Sequence, residues 1–339
     1  MTSQAVDRPA IEVEGLAKSF GKVDALRGVD FSVPRGSVLG LLGPNGAGKT
    51  TAVRILATLT RPSAGRALIE GHDVVHEASL VRRRIGLAGQ ATAIQPELTG
   101  RENLSTIGRL NHLPRPYIRQ RTAELLERFE LEDAADRPAK TFSGGMQRRL
   151  DLAASLIGEP SVLFLDEPTT GLDPRGRLQM WDIVRELAAG GTTVLLTTQY
   201  MDEADALAAS IVVIDHGRVI AEGTPDQLKD RAGGDVLELT LVDRSHLAAA
   251  ASTLSGLTQT EPYVDEAAGR VSLGAGGTGS RLVVEAVRRL DAARIETDSL
   301  LLRRPSLDDV FLALTGHQAE HEVQRVPGRR RSAAAASEA

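Results

Sequence analysis

From Ile11 to about Asp230, short apolar runs alternate with longer stretches in which apolar residues recur every three or four positions. This alternation is typical of an α/β fold in which helices cover a parallel sheet. The pattern predicts buried strands at 38–42, 162–165, 193–197 and 211–214. Between about 96 and 140 the pattern is helical, with Leu125, Leu126 and Phe129 at helical steps, which predicts a helical insertion.

A second, smaller unit begins after Gly233 and Gly234. The pattern predicts a strand at 236–242, a helix at 246–254, two strands near Tyr263 and Val271, a helix at 281–290 and a strand at 299–302. This order is compatible with a ferredoxin-like split βαβ arrangement. A last helix follows, started by a capping box between Ser306 and Asp309 and ended by Gly316. We expect its buried face to comprise Leu307, Val310, Phe311 and Leu314.

These patterns divide the chain into three segments. Residues 1–232 are predicted to form an α/β domain, residues 235–316 a small α+β domain, and residues 317–339 a polar, disordered tail. The composition agrees with two globular domains, because 42% of the 339 residues are hydrophobic.

Composition also excludes several classes of protein. The apolar runs are far shorter than the roughly 18 residues that cross a bilayer, and the first ten residues lack the pattern of a secretory signal. We therefore expect a cytosolic protein that does not itself span a membrane. The chain has no cysteine, which excludes disulfides, thiolate zinc sites and thiol nucleophiles. Its net charge of −5 argues against a nucleic-acid partner.

The first candidate site is the sequence Gly43-Pro44-Asn45-Gly46-Ala47-Gly48-Lys49-Thr50, which lies between a predicted strand and a predicted helix. It matches the phosphate-loop pattern G-x-x-x-x-G-K-[ST] in the context that the pattern requires. Glycines let backbone N–H groups turn toward the phosphates, and the helix N-terminus adds its positive end. We expect Lys49 to reach the β- and γ-phosphates, Thr50 to bind Mg²⁺ and Thr51 to support the loop.

Two adjacent carboxylates follow the apolar run that ends at Leu165. Asp166 is placed to orient hydrated Mg²⁺, as the corresponding Asp does in phosphate-loop NTPases. Glu167 is then available to accept a hydrogen bond from the attacking water and to hold it in line with the γ-phosphorus. Two adjacent acids alone are usually a solvated turn, but beside a phosphate loop they predict nucleotide hydrolysis.

The segment Ser143-Gly144-Gly145-Met146-Gln147 resembles the signature motif of ABC-transporter ATPases, usually Leu-Ser-Gly-Gly-Gln, from which Phe142 and Met146 depart. The residues also predict a helix N-terminus that can hold an anion, because Ser143 is a good N-cap. The resemblance implies ATP as the nucleotide and a P-loop, ABC-type nucleotide-binding domain. It also implies a head-to-tail homodimer, in which ATP lies between the phosphate loop of one chain and Ser143, Gly144 and Gly145 of the other.

Other motifs of the family occur in the expected order, from about Ile11 to Leu228. Phe20 is similar to the aromatic residue that stacks on adenine, and Gln90 to the glutamine that senses Mg²⁺ and the γ-phosphate. Asp173 is similar to the aspartate of the dimer interface. Gln199 stands where the family usually has a histidine that contacts the γ-phosphate. Its amide can donate a neutral hydrogen bond but cannot carry a proton, so slower hydrolysis is expected.

Two further stretches, 197–205 and 306–312, resemble one branch of the family, the daunorubicin/doxorubicin-resistance ATP-binding proteins. This resemblance implies a subunit that hydrolyses ATP to energise an exporter of drugs or anthracycline-like antibiotics. A separate transmembrane permease would hold it at the cytoplasmic side of the membrane. The same motor would equally serve lipid or polysaccharide export, or import. A soluble ABC ATPase acting on ribosomes or DNA is a lesser alternative, because only one phosphate loop and one signature occur here.

Overall fold

The computed structural model describes residues 8–89, 93–231, 234–258, 260–275 and 279–315. The strands are β1 (Ile11–Phe20), β2 (Val23–Val33), β3 (Val38–Leu42), β4 (Ala64–Ile69), β5 (His72–Asp73), β6 (Ile85–Ala88), β7 (Val162–Asp166), β8 (Thr193–Thr198), β9 (Ser210–Asp215), β10 (Arg218–Gly223), β11 (Val236–Leu241), β12 (Tyr263–Asp265), β13 (Arg270–Gly274) and β14 (Thr297–Arg303). The helices are α1 (Lys49–Leu56), α2 (Ala78–Arg82), α3 (Gly100–Leu110), α4 (Arg115–Arg128), α5 (Gly144–Ser155), α6 (Pro174–Ala189), α7 (Met201–Leu207), α8 (Pro225–Arg231), α9 (Leu247–Leu254), α10 (Gly279–Ala292) and α11 (Leu307–Thr315).

The first sheet is antiparallel, with the strand order β2-β1-β4-β5. Strand β1 pairs with β2 and β4, so that Ile11 lies beside both Val33 and Ile69, and all three side chains are buried. The expectation of a parallel sheet from Ile11 onward is therefore wrong for this part of the chain. Only Gly21 and Lys22 separate β1 from β2, and so short a connection joins antiparallel strands.

The second sheet has the order β10-β9-β3-β8-β7-β6, and all of its strands except the edge strand β10 run parallel. Every residue of β3, β7 and β8 is buried, as expected for strands covered on both faces. The four predicted strands are present, each within one residue of its predicted bounds. Because the carboxyl ends of parallel strands meet at one edge, the loops after β3, β6, β7 and β8 lie together.

The helical insertion consists mainly of α3 and α4, within the range predicted from the periodicity. Helix α3 begins with a capping box: the Glu102 N–H donates to the Thr99 hydroxyl at 3.1 Å, and the Thr99 N–H donates to the Glu102 carboxylate at 2.9 Å. The core of the helical insertion contains Leu125, Leu126 and Phe129, which are all buried, as their spacing predicts.

The third sheet contains the strands after residue 235 and has the antiparallel order β12-β13-β11-β14. Its elements follow in the predicted order β-α-β-β-α-β, which is that of a ferredoxin-like split βαβ unit. Helices α9 and α10 pack on the sheet around Leu237, Leu239 and Val271. The boundaries near residues 232 and 316 lie outside the described residues, and the division into domains stays a prediction.

Helix α11 packs against the first part of the chain, with Leu307, Val310 and Phe311 buried beside Met201 of α7 and Leu228 of α8. Leu314, which we expected on the same face, is exposed. The predicted capping box is present, since the Asp309 N–H donates to the Ser306 hydroxyl at 3.3 Å and the Ser306 N–H donates to the Asp309 carboxylate at 2.6 Å.

A charged side chain of β14 holds α11 in place. The Arg303 guanidinium donates to the Asp309 carboxylate at 2.6 Å and, through Nε, to Glu238 of β11 at 2.9 Å.

The predicted end of α11 at Gly316 and the tail at 317–339 lie outside the described residues. No helix in the described part of the chain is long and apolar enough to cross a membrane.

Candidate functional site

The phosphate loop joins β3 to α1, and two of its glycines are required by close backbone contacts. A Cβ on Gly43 would lie 2.1 Å from the Ile214 carbonyl oxygen, and one on Gly48 would lie 2.4 Å from that of Ala25. Gly48 also has a φ of 110°, a conformation that favours glycine. Gly46 has a φ of 81° with open space around it. The predicted residues therefore form a tight loop, from Gly43 to Gly48, followed by the first turn of α1, which contains Lys49, Thr50 and Thr51.

Lys49, the first residue of α1, is only 4% exposed. Its ammonium donates to the carbonyl oxygens of Gly43 at 2.7 Å and Pro44 at 3.1 Å, so the positive charge lies inside the phosphate loop. Burial lowers the pKa of the Lys49 ammonium, and the carboxylates of Glu167 and Asp166 offset part of that shift. The two carboxylates help to keep the buried ammonium protonated, and a buried cation inside the loop is suited to bind the phosphates of a nucleotide.

Asp166 ends β7 and connects two neighbouring elements. Its Oδ1 accepts hydrogen bonds from the hydroxyls of Thr197 in β8, at 2.5 Å, and Thr50 in α1, at 3.3 Å. The carboxyl group is nearly buried, since Asp166 is 4% exposed. The structure thus brings together a hydroxyl and a carboxylate oxygen, the hard ligands that Mg²⁺ prefers. Thr50 and Asp166 fit the predicted metal site, whereas Gln90, the third predicted ligand, lies outside the described residues.

Glu167 has a backbone φ of 52°, which is uncommon for a residue with a side chain. Its N–H donates to the carbonyl oxygen of Thr197 at 3.1 Å and to the Thr197 hydroxyl at 3.2 Å, which holds this conformation. The side chain lines a cavity of about 390 Å³ between the β7–α6 loop and α5, together with Gly144. The sharp turn therefore moves the second carboxylate out of the strand and into a cavity.

Arg148 of α5 donates hydrogen bonds to the backbone of this turn, a role that was not predicted from the sequence. Its guanidinium donates to the carbonyl oxygens of Pro168 (2.8 Å), Glu167 (3.0 Å) and Asp166 (3.3 Å). It also donates to the carbonyl of Gly89, the residue after β6, at 2.7 Å. Burial lowers the pKa of the Arg148 guanidinium, and the charges of Asp151 and Asp166 counteract that shift. One side chain therefore joins α5 to the loops that follow β6 and β7.

The signature segment forms the N-terminus of α5. The Ser143 hydroxyl accepts a hydrogen bond from the Met146 N–H at 3.2 Å and caps the helix, as predicted. Gly144 lies exposed and Gly145 half-buried in the first turn. The two departures from the family motif have a packing role, since Phe142 is buried in the core of the insertion and Met146 packs against it.

The remaining predicted residues lie in three places: Asp173 and Gln199 follow the parallel strands β7 and β8, and Phe20 ends β1 of the antiparallel sheet. Asp173 caps α6, because its Oδ1 accepts a hydrogen bond from the Gly176 N–H at 2.8 Å, and it is exposed. Gln199 follows β8 and is half-buried. Phe20, at the end of β1, is 53% exposed, so it is not a core residue, and the Lys18 ammonium lies 4.9 Å from its ring centre.

Comparisons with known proteins find relatives over most of the chain. Residues 26–170 match the family model described as ABC transporter. A daunorubicin resistance ATP-binding protein of Streptomyces coeruleorubidus is 56% identical over 308 residues, which are 91% of this chain and 96% of the relative. A Nod factor export ATP-binding protein I of Ralstonia nicotianae is 42% identical over 311 residues, which are 91% of this chain and 95% of the relative.

Solved structures give the same result for the fold. The ATP-binding subunit of an ABC transporter superimposes with a TM-score of 0.61 and 29% identity, covering 66% of this chain and 93% of the other. A dimeric ATP-binding cassette in a post-hydrolysis state, bound to ADP and Pi, superimposes with a TM-score of 0.58 and 26% identity, covering 63% of this chain and 98% of the other.

Proposed function

Since this chain belongs to the ATP-binding proteins of ABC transporters, in the group that includes the daunorubicin/doxorubicin-resistance proteins, we propose that it energises export of an anthracycline-like drug. The chain is an ATP-binding ATPase subunit of an ABC exporter. Proteins of this class act with a membrane permease and dimerise. The proposed partner is a separate permease that holds the chain at the cytoplasmic side of the membrane.

In this proposal ATP binds along the carboxyl edge of the parallel sheet. Phe20 stacks on adenine, because its ring is exposed and can accept a base. The residues from Gly43 to Thr51 surround the phosphates. Lys49 exchanges its contacts with loop carbonyls for the β- and γ-phosphates. Thr50 and Asp166 would hold Mg²⁺, with Gln90 as a further ligand. When bound, the ion would neutralise the negative charge that develops on the phosphate oxygens.

Hydrolysis needs a water held in line with the γ-phosphorus. We assign this to Glu167, whose carboxylate acts electrostatically on the Lys49 ammonium in the phosphate loop and can accept a hydrogen bond from the water. The single observation that carries the assignment is the left-handed turn at Glu167, which separates its side chain from that of Asp166. Gln199, which directly follows the neighbouring strand β8, donates a neutral hydrogen bond to the γ-phosphate, and Gln90 senses the same phosphate.

The signature segment completes the site from a second copy of the chain. Ser143 already caps α5, and Gly144 and Gly145 leave the first turn of this helix open to an incoming phosphate. Asp173, exposed at the start of α6, lies in the proposed head-to-tail interface. ATP binding would therefore close the dimer and hydrolysis would release it.

The same motor could serve another exported substrate. The Nod factor export protein, 42% identical to this chain, supports an exporter for a molecule other than a drug as the second candidate. The residues of the nucleotide site do not separate the two candidates, because they contact ATP and not the exported molecule.

The test uses Glu167→Gln as bait in membranes of the source cells. This substitution keeps the shape of the side chain but removes the carboxylate, so the dimer should remain closed on Mg-ATP. Lys49→Ala is the matched control, because it removes nucleotide binding and closure. We expect a multi-helix permease to be purified with Glu167→Gln, and less of it with Lys49→Ala. The permease identified in this way, placed in vesicles with the wild-type chain, should then accumulate doxorubicin on addition of ATP.

Two results would contradict the proposal. Recovery of ribosomes or DNA-repair proteins without a permease would exclude an exporter. Recovery of a permease whose vesicles move no anthracycline, although they hydrolyse ATP, would retain the exporter and exclude the drug.

A further inference from the structure

A second concave surface lies on the helical insertion, apart from the nucleotide site. Helices α3 and α4 enclose a cavity of about 370 Å³, which we call the α3–α4 groove. Its polar lining residues follow helical spacing on each helix, so that they share one face. They are Arg101, Ser105 and Arg109 on α3 and Arg115, Arg119 and Thr122 on α4. The helices can approach closely because a Cβ on Gly108 would lie only 2.9 Å from Ile118.

The lining of this groove is strongly basic. Arg101 has a partner in Asp136, with Nε and Oδ1 2.9 Å apart. Arg109, Arg115 and Arg119 have no carboxylate within ion-pair distance among the described residues. Arg115 and Arg119 are four residues apart on one helix, where like charges repel each other. Arg115 also lies in the first turn of α4, where the helix dipole disfavours a cation. An anion in the groove would relieve both effects.

A buried hydroxyl provides an independent sign of a ligand. Thr122 is 1% exposed and lines the groove, yet its Oγ1 has no hydrogen-bond partner among the residues that the structure describes. Buried hydroxyls in folded proteins almost always have a partner. This hydroxyl could donate to an oxygen atom bound between the arginines.

We propose that the α3–α4 groove binds a phosphate group. Arginine forks donate parallel N–H bonds that match the oxygens of phosphate, and several forks around one compact cavity favour a single group of high charge density. An acidic protein segment would instead spread its carboxylates along an open surface. Two sources share this chemistry: the headgroup of an anionic phospholipid and a free phosphate compound. The groove is separate from the proposed ATP site, because none of its residues belongs to the nucleotide site.

The test uses the full chain with its nucleotide site saturated with Mg-ADP, so that the phosphate loop is occupied. One arm follows binding of glycerol 3-phosphate by the NMR signals of arginine side chains. The other measures sedimentation with vesicles of phosphatidylglycerol and phosphatidylcholine in equal amounts, against pure phosphatidylcholine. The groove variant is Arg109→Gln/Arg119→Gln, which leaves the Arg101–Asp136 pair intact. The control, Arg61→Gln/Arg83→Gln, makes the same change in net charge on exposed residues elsewhere.

We expect the groove variant to bind phosphate about tenfold more weakly in at least one arm, since two charge-assisted donors are lost. The control should bind like the wild type. Thr122→Val, which keeps the packing of the site, should weaken binding several-fold without loss of folding. A loss confined to vesicles identifies the lipid headgroup, and a loss confined to glycerol 3-phosphate identifies a free compound.

Three results would overturn the proposal. In the first, the groove variant binds in both arms as the wild type does. In the second, the control loses as much binding, which would show that net charge alone is responsible. In the third, phosphate binding is unchanged but the variant no longer purifies with the permease, which would assign the groove to an acidic protein segment. Wild-type ATP hydrolysis by the groove variant verifies that it is folded.

Discussion

Replacing Arg148 by methionine tests how the catalytic loops are held in position. The substitution removes the donors to the carbonyls of Gly89, Asp166, Glu167 and Pro168, at 2.7 to 3.3 Å, and leaves a side chain of similar length. It also removes the cation beside Asp151, whose side chain is 4% exposed and whose Oδ2 lies 3.5 Å from Nη1.

The magnitude follows from these contacts. A hydrogen bond from a charged donor contributes about 1.5–3 kcal/mol, but carbonyls beside the cavity can be rehydrated after the substitution. Removing one partner of a buried ion pair costs about 3–5 kcal/mol, and we expect a loss of stability in this range. The turn at Glu167 would also be free to move. A displacement of about 1 Å at a catalytic group lowers kcat about 100-fold, while KM for ATP should change little because Arg148 does not contact the phosphate loop.

The assay combines urea unfolding with steady-state ATP hydrolysis, measured well below the unfolding midpoint. Arg149→Met is the matched control, since Arg149 follows in the same helix but contacts the Phe129 carbonyl and Glu130, both at 3.1 Å, in the insertion. It should lose some stability and keep its kcat. Arg148→Lys keeps the charge without the fork, and should fall between the two.

The reasoning would be refuted by a folded Arg148→Met protein whose kcat equals that of the wild type. It would also be refuted by an equal fall in kcat for Arg149→Met, because the effect would then reflect the stability of α5 and not the position of Glu167.

Three further predictions concern other elements. Gln199→His should raise the hydrolysis rate and add a titration between about pH 5 and 8, because imidazole ionises there and an amide does not; identical pH profiles of kcat for the two proteins would contradict the role of Gln199. Burial raises the pKa of the Glu203 carboxyl above its usual 4.5, so the folded protein loses stability as the pH rises from 4.5 through the folded pKa. Glu203→Gln, which can still accept the hydrogen bond from Trp181, should therefore be more stable than the wild type in urea at pH 8, and a gain as large at pH 4 would exclude this cause. Ser306→Ala removes the cap of α11 and should lower the free energy of unfolding by about 1 kcal/mol, so an unchanged urea midpoint would show that the cap does not stabilise the fold.

Local signals explain which elements were predictable from the sequence. Strands β3 and β7 are buried at every position; the phosphate loop directly follows β3, and the carboxylate pair begins with the last residue of β7. Both the elements and their candidate residues therefore lie within short stretches. The order of the C-terminal elements was equally predictable from their periodicity. The capping boxes at Thr99 and Ser306 are likewise contacts between residues three positions apart.

The missed features depend on contacts between distant parts of the chain. Strand β1 owes its burial to β2 and β4, and nothing within it indicates which neighbours it will have. Leu314 has the spacing of a core residue, but the surface against which α11 packs ends before it. Arg148 bonds to Pro168 and Gly89, which are 20 and 59 residues away, so nothing in its own helix, where Arg149 stands beside it, indicates its role.

The end of β7 is the point where these long-range contacts converge. The Asp166 side chain bonds to Thr50 of the phosphate helix and to Thr197 of β8. The backbone of Glu167 is fixed from the same threonine and, on the other side, from Arg148. Because all of these groups are buried or half-buried, moving any one leaves a polar atom unpaired. The sequence motifs therefore supply the chemical groups for hydrolysis, whereas their relative positions depend on a hydroxyl of β8 and a guanidinium of α5 that belong to no nucleotide motif.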